Sequence, residues 1–223
     1  MYTFVDVRLL LMAFARLCDT VHKKYHSRKH PVIHGDLVPV NLLLLRGKGL
    51  VPIDPMLTPF GTVAPGGTLE WSAPEQILEH PVSAKSDVYS IASMVTSLLR
   101  GRIHGEVTEI VKALKRKRET NFSLNIVKLI KKPELLLDHP YKIHGVLKNA
   151  LSFDQALRPT LKELKQAIIE QAHSKIWTEI GDPQGGPTCW LELSNLNFGK
   201  LCYSGGKMSP DDPSELVWVA SDS

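Results

Sequence analysis

The stretch His34-Gly35-Asp36-Leu37-Val38-Pro39-Val40-Asn41, followed by the apolar run Leu42 to Leu45 and then Val51-Pro52-Ile53-Asp54, leaves this chain few folds to choose from. It sets three proton- and metal-handling side chains on a loop flanked by short apolar strands. Asp36 and Asn41 stand five residues apart, and Asp54 follows Asn41 by thirteen, a distance that suits a strand, a tight turn at Arg46 to Gly49 and a returning strand. A hairpin of that size is expected to bring Asn41 and Asp54 face to face. Two carboxylates and a carboxamide at its mouth form a hard-oxygen site for Mg²⁺, with one carboxylate left to orient a hydroxyl. Phosphoryl transfer is the chemistry that uses this set.

At these residues the chain resembles the eukaryotic-type protein kinase family, whose catalytic loop reads H-R-D-L-K-x-x-N and whose metal-binding turn reads D-F-G. Here the two appear as HGDLVPVN and Asp54-Pro55-Met56. Gly67-Thr68-Leu69-Glu70-Trp71-Ser72-Ala73-Pro74-Glu75 resembles the end of a kinase activation segment. Ser86-Asp87-Val88-Tyr89-Ser90 is similar to the start of the long buried helix of the large lobe, and Arg158-Pro159-Thr160 to the motif before the last helix. The resemblance implies a mainly α fold, a kinase-like large lobe with a short β-hairpin carrying the catalytic loop. It assigns Asp36 the substrate hydroxyl, Asn41 and Asp54 the metal that bridges the phosphates, and Thr68 a contact of the activation segment with substrate. His34, Glu75, Asp87 and Arg158 become structural supports: Glu75 pairs with Arg158, and Asp87 either caps its helix or hydrogen-bonds the catalytic loop.

The departures from the family pattern carry their own expectations. Gly35 stands where the family usually has arginine, so a phosphorylated activation segment would find no cation there to dock on, and loop phosphorylation is not expected to be the switch. Val38 replaces a lysine that would neutralise charge on the transferred group. Pro55 and Met56 replace Phe-Gly, and proline fixes φ near −65° while methionine lacks the freedom of glycine, so that turn is expected to hold one state. Residues 58–68 are rich in Pro, Gly and Thr, an exposed loop that serves as a binding surface or a connector.

Length and composition set the outer bounds. With 223 residues, 43% of them hydrophobic, the chain can bury one sizeable core, and one domain plus an appendage is the natural count. The net charge of +4 is modest. Basic residues gather at Lys112, Lys115, Arg116, Lys117 and Arg118, which reads as a solvated helix face or, alternatively, a patch for an acidic partner or nucleic acid; no nucleic-acid motif accompanies it, which favours the first. Cys18, Cys189 and Cys202 form no C-x-x-C pair, which fits a reducing compartment. No apolar run approaches the roughly 20 residues of a bilayer span, and the start has no signal-peptide pattern. The expectation is a cytoplasmic protein with neither membrane nor nucleic acid as partner.

Along the chain, Val7, Leu10, Leu11, Phe14, Leu17, Cys18 and Val21 recur at threes and fours and predict an amphipathic helix. Pro31 stops it, leaving Val32-Ile33 as a short strand and His26 as a packing or hydrogen-bonding residue. Further helices are predicted from Asp87 through Ile91, Val95, Leu98 and Leu99 to Gly101, over Glu106 to Lys117, over Tyr141 to Leu151, and over Leu161 to Ala172. Residues 1–176 are read as the kinase-like large lobe. Residues 177–223 hold a linker-like run, Gly181 to Pro187, and strand-like pieces at Trp190 to Leu193 and Leu216 to Val219, a small β appendage or a partly disordered tail.

No G-x-G-x-x-G occurs in the sequence, and a small lobe is expected to be absent. Three accounts stay open: a fragment or truncated product, a second chain supplying the missing half, or loss of nucleotide binding. Three functions compete accordingly. The first is ATP- and Mg²⁺-dependent phosphoryl transfer to protein Ser/Thr, impaired in this chain alone by weak nucleotide binding. The second is a pseudokinase or scaffold binding a protein partner. The third is a small-molecule phosphotransferase of the aminoglycoside or choline type, which shares the H-G-D…N…I-D pattern and does not use the Glu75 and Arg158 pair.

Overall fold

The threes-and-fours spacing of the first segment produces a helix, α1 (Val7–Val21), and every apolar position that predicts it is buried. The computed structural model describes residues 4–45, 49–69, 71–100, 141–174 and 190–192. The expected basic helix at 106–117 with its cluster at 112–118, the linker-like run 181–187, the strand-like piece 216–219, most of the turn at 46–49, and Cys189 and Cys202 lie outside these residues. Before α1 runs a strand, β1 (Phe4–Asp6), and after it the chain opens into a single π-helical turn, His22–His26. Cys18 lies on the buried face of α1, where burial pushes its thiol up to about 12 and leaves it chemically quiet.

Three two-stranded antiparallel sheets occur among the described residues. The short strand β2 (Val32–Ile33) pairs with β5 (Thr58–Pro59), so the chain leaves and returns at one place. Between them lies the hairpin of β3 (Leu42–Leu45) and β4 (Gly49–Pro52), with Leu42 opposite Pro52. The strand β6 (Trp190–Glu192), one of the strand-like pieces expected in the tail, pairs with β1, Asp6 opposite Trp190. Its neighbours in the tail lie outside the described residues.

The short helix α2 (Pro74–Ile77) precedes α3 (Ala84–Arg100), which is the central element. Val88, Ile91, Ala92, Ser93, Met94, Val95, Thr96, Ser97 and Leu98 are all buried. A helix with no solvent face belongs in the middle of a core, and its small Ser, Ala and Thr residues let neighbours come close. Around it stand α1, α4 (His144–Ala150) and α5 (Leu161–Ala172), the last packed along α1 and tied to it at the edge by Lys165 and Asp19, 2.7 Å apart. Thr160 caps α5 reciprocally with Glu163, the two-way cap that the sequence Thr160-x-x-Glu163 signals. Backbone hydrogen bonds also draw down the Glu163 carboxyl. No described helix is long and apolar enough to cross a membrane.

One polar knot stands inside this apolar body. Arg158 lies buried with both guanidinium ends on Glu75, at 2.8 Å to each carboxylate oxygen. Its other donors reach the carbonyls of Ser152, Lys85 and Phe153, so all five N–H groups of the fork have acceptors. The Glu75 carboxylate also accepts the Ser86 hydroxyl at 2.6 Å, and the Tyr89 ring lies 5.0 Å from the guanidinium carbon. The knot therefore joins α2, the first turns of α3 and the 152–158 segment. Removing one partner strands the other charge in the interior. Arg158→Ala is expected to lower the unfolding free energy by about 3–5 kcal/mol; an unchanged denaturant midpoint would show that the knot holds nothing.

Candidate active site

Delivered by β2, the loop 34–41 begins with His34, which has no exposed surface. Gly35 follows with φ of +83°, and a Cβ there would sit 3.2 Å from the Met56 Cβ. Glycine is needed on both counts. The left-handed turn points two consecutive backbone N–H groups, those of His34 and Gly35, into the protein. Both are accepted by the buried carboxylate of Asp87, at 2.9 and 3.2 Å. His26 reaches the same carboxylate at 2.8 Å, from the π-helical turn. Of the two readings of Asp87, this geometry is the loop contact: it sits in the first turn of α3 but spends its oxygens on residues 26, 34 and 35. His26 takes a hydrogen-bonding place. The His34 imidazole accepts the Asp36 N–H at 3.4 Å and meets the Tyr25 ring edge-on, centroids 5.3 Å apart. Burial holds its pKa below the ordinary 6.5, opposed by the Asp87 charge.

Asp36 emerges half-buried and doubly held. One carboxylate oxygen accepts the Asn41 side-chain amide at 2.9 Å, and the other accepts the backbone N–H of Thr68 at 2.9 Å. The Asn41 amide also donates to the Asp36 carbonyl, 3.1 Å, closing the loop on itself. Pro39 starts the 3₁₀ turn Pro39–Asn41 that makes this closure possible. Thr68 thus meets the site through its backbone.

Asp54 is placed differently from the face-to-face expectation. The hairpin register sets Leu42 opposite Pro52, and the Ile53 N–H donates to the Asn41 carbonyl at 2.9 Å, so Asn41 faces Ile53 and Asp54 lies one residue further on. The same register runs the length of the hairpin, down to Leu45 opposite Gly49. Asp54 is exposed, with φ of +50°, a conformation that Asp tolerates better than most residues. Leu57 at φ of +46° adds a second left-handed residue to the turn at 54–57. Among the described residues no group of three or more His, Cys, Asp and Glu is arranged to hold a metal.

Val38 is 2% exposed and belongs to the main core. Beside Thr68 lies a half-open groove of about 400 Å³, lined by Val63, Ala64, Gly67, Leu69, Ser72 and Gln76 among others. Of residues 58–68, expected as an exposed loop, 61–63 are exposed, whereas Thr58, paired in β5, and Ala64 are buried.

Gln76 is the site residue that sequence reasoning missed. It is buried, its side-chain oxygen accepts the Ala73 N–H at 3.0 Å, and its amide donates to the Gly35 carbonyl at 2.7 Å. The first bond was legible, because Pro74 at the first helical position and a Gln two residues later mark a helix start. The second spans 41 positions and had no local signal.

Residues 12–168 match a family model described as a protein kinase domain. The chain is 27% identical over 175 residues to a putative mitogen-activated protein kinase kinase kinase 7-like protein of Drosophila melanogaster, covering 72% of this chain and 41% of that protein. It is 29% identical over 119 residues to serine/threonine-protein kinase A of Synechocystis, covering 46% and 23% of the two chains. It is 31% identical over 121 residues to U-box domain-containing protein 70 of Oryza sativa, covering 48% and 15%. The chain spans less than half the length of these curated relatives.

Replacing Asp87 by Ala would leave the His34 and Gly35 N–H groups buried without acceptors, at roughly 1–3 kcal/mol each. Asp87→Ala is expected to destabilise the protein by at least about 2 kcal/mol in urea denaturation. A loss under about 0.5 kcal/mol, the range of ordinary surface changes, would mean that the loop is held by other groups.

Proposed function

The chain belongs to the protein kinase family, and from that premise we propose that it is a Ser/Thr-type phosphoryl-transfer domain, of large-lobe architecture, that receives a protein hydroxyl at Asp36. The observation that carries the reading is the double hold on Asp36 from Asn41 and Thr68. A carboxylate offers about four lone-pair positions, and these two bonds fix its plane while leaving a free position on each oxygen. A substrate hydroxyl that donates to one of them is oriented for attack, and Asp36 can take its proton as the new bond forms. The groove beside Thr68 is suited to the polypeptide that carries the hydroxyl. The names of the Drosophila and Synechocystis relatives support the kinase class.

The side-chain oxygen of Asn41 and the exposed carboxylate of Asp54 are hard donors of the kind Mg²⁺ takes, one or two protein oxygens with waters and substrate phosphates completing the shell. Bound there, the ion would neutralise charge on the phosphoryl group of ATP. The burial of Val38 argues for slow turnover. Where the family has a lysine, this loop supplies no cation, and loss of one preorganised donor lowers a rate by roughly 10² to 10³. The same observation favours a second reading, a kinase-like scaffold that binds a protein partner without turnover. The Glu75–Arg158 fork speaks against a small-molecule phosphotransferase.

The test is transfer of radiolabelled phosphate from ATP to a mixed protein substrate, with Asp36→Asn as control. The expected result is slow, Mg²⁺-dependent incorporation that the substitution abolishes. Incorporation that persists in Asp36→Asn, or none from the parent protein, would remove the enzyme reading and leave the scaffold.

A further inference from the structure

Position 35 lacks the cation that the family pattern carries, yet the peptide between residues 35 and 36 is held at both its polar groups. The Gln76 side chain donates to the Gly35 carbonyl at 2.7 Å, and the Asp36 N–H donates to the His34 imidazole at 3.4 Å, while Asp87 holds the preceding peptide through the Gly35 N–H at 3.2 Å. Gly67 closes over the same carbonyl: a Cβ there would lie 3.2 Å from the Gly35 oxygen and 2.7 Å from the Ser72 hydroxyl. Next to Gly67, Thr68 donates its N–H to Asp36 and accepts the Ser72 hydroxyl at 3.0 Å. Fixing a peptide plane fixes the direction in which the next side chain leaves the backbone, and here that side chain is Asp36.

We propose that Gln76 is a positioning residue for Asp36, a neutral latch that couples the start of α2 and the segment 67–72 to the loop carrying the proposed catalytic carboxylate. The amide serves two masters. Its oxygen closes the helix start at Ala73, and its nitrogen holds Gly35. A neutral carboxamide is suited to the second task because its N–H donates to the Gly35 oxygen while its own oxygen accepts the Ala73 N–H. An ionised side chain would stand buried there. The latch makes the geometry of Asp36 depend on the seating of the 67–76 segment without any phosphate, so displacement of that segment by a partner would release the Gly35 carbonyl and the Thr68 contact together. The proposal rests on Asp36 as the working carboxylate only for its kinetic consequence; the latch itself is a statement about the folded protein.

The two jobs of the amide separate by substitution. Gln76→Glu keeps an oxygen for the Ala73 N–H and cannot donate to Gly35, whereas Gln76→Met loses both. Amide hydrogen exchange of the ¹⁵N-labelled protein reads the Ala73 bond directly and the hold on the Gly35 carbonyl through the adjoining Asp36 and Thr68 amides. In Gln76→Glu the Asp36 and Thr68 amides are expected to exchange about tenfold faster or more, the scale of one lost hydrogen bond, while Ala73 keeps its protection; in Gln76→Met all three are lost. Amides of α1 and α5 report that either variant is folded. Unchanged Thr68 and Asp36 exchange in both variants, or changes confined to Ala73 and α2, would reduce Gln76 to a helix cap and overturn the proposal. In the ATP assay, Gln76→Glu is expected to lower kcat with KM for ATP unchanged. A parent protein without activity would contradict the enzyme reading and leave the exchange experiment to decide the latch.

Discussion

The carboxylate of Asp87, 1% exposed in the first turn of α3, is the group on which the site depends. It takes hydrogen bonds from two successive backbone N–H groups and faces His26, so three groups from two parts of the chain converge on two oxygen atoms. One residue earlier, Ser86 donates to Glu75, and Glu75 holds Arg158. One turn later, Ser90 donates to the Trp71 carbonyl at 2.9 Å. The start of a single buried helix thus fixes both the loop 34–41 and the segment that leads into α2. Because the interior around it is apolar and of low dielectric, each of these bonds is strengthened, and each partner left alone would be costly.

This arrangement accounts for how the loop tolerates Gly35. The left-handed turn there is what directs two N–H groups at Asp87 and the carbonyl at Gln76. An arginine in that backbone conformation would carry the strain of a positive φ and would press on Met56. Glycine exchanges a possible phosphate-binding cation for a turn held wholly by neutral donors and one buried carboxylate. Val38 points into the core in the same way. The loop is well anchored and weakly charged, which suits holding a hydroxyl better than stabilising a migrating phosphoryl group.

Much of this was legible in the sequence, and for definite reasons. Periodicity located α1 and gave the bounds of α5, because an amphipathic stripe against a core leaves a local pattern. The family resemblance brought Glu75 to Arg158, and loop spacing brought Asp36 to Asn41. What could not be read was strand register and the long-range contacts that no motif marks. The pairing of Asn41 with Ile53 hinged on a hairpin register that sets Leu45 opposite Gly49. The choice between cap and loop contact for Asp87 hinged on which backbone groups lay across 53 residues, and the pairing of β6 with β1 joined strands nearly the whole chain apart. Local propensity carries no information about any of these.

Native-state hydrogen exchange of the His34 and Gly35 amides tests most directly whether α3 holds the loop as part of the core. If Asp87 anchors them, they open only with the whole protein, and their exchange free energy should equal that of core amides such as Leu11 and Phe14 in α1. Exchange of His34 and Gly35 at the rate of an unprotected amide, while α1 stays protected, would contradict the account.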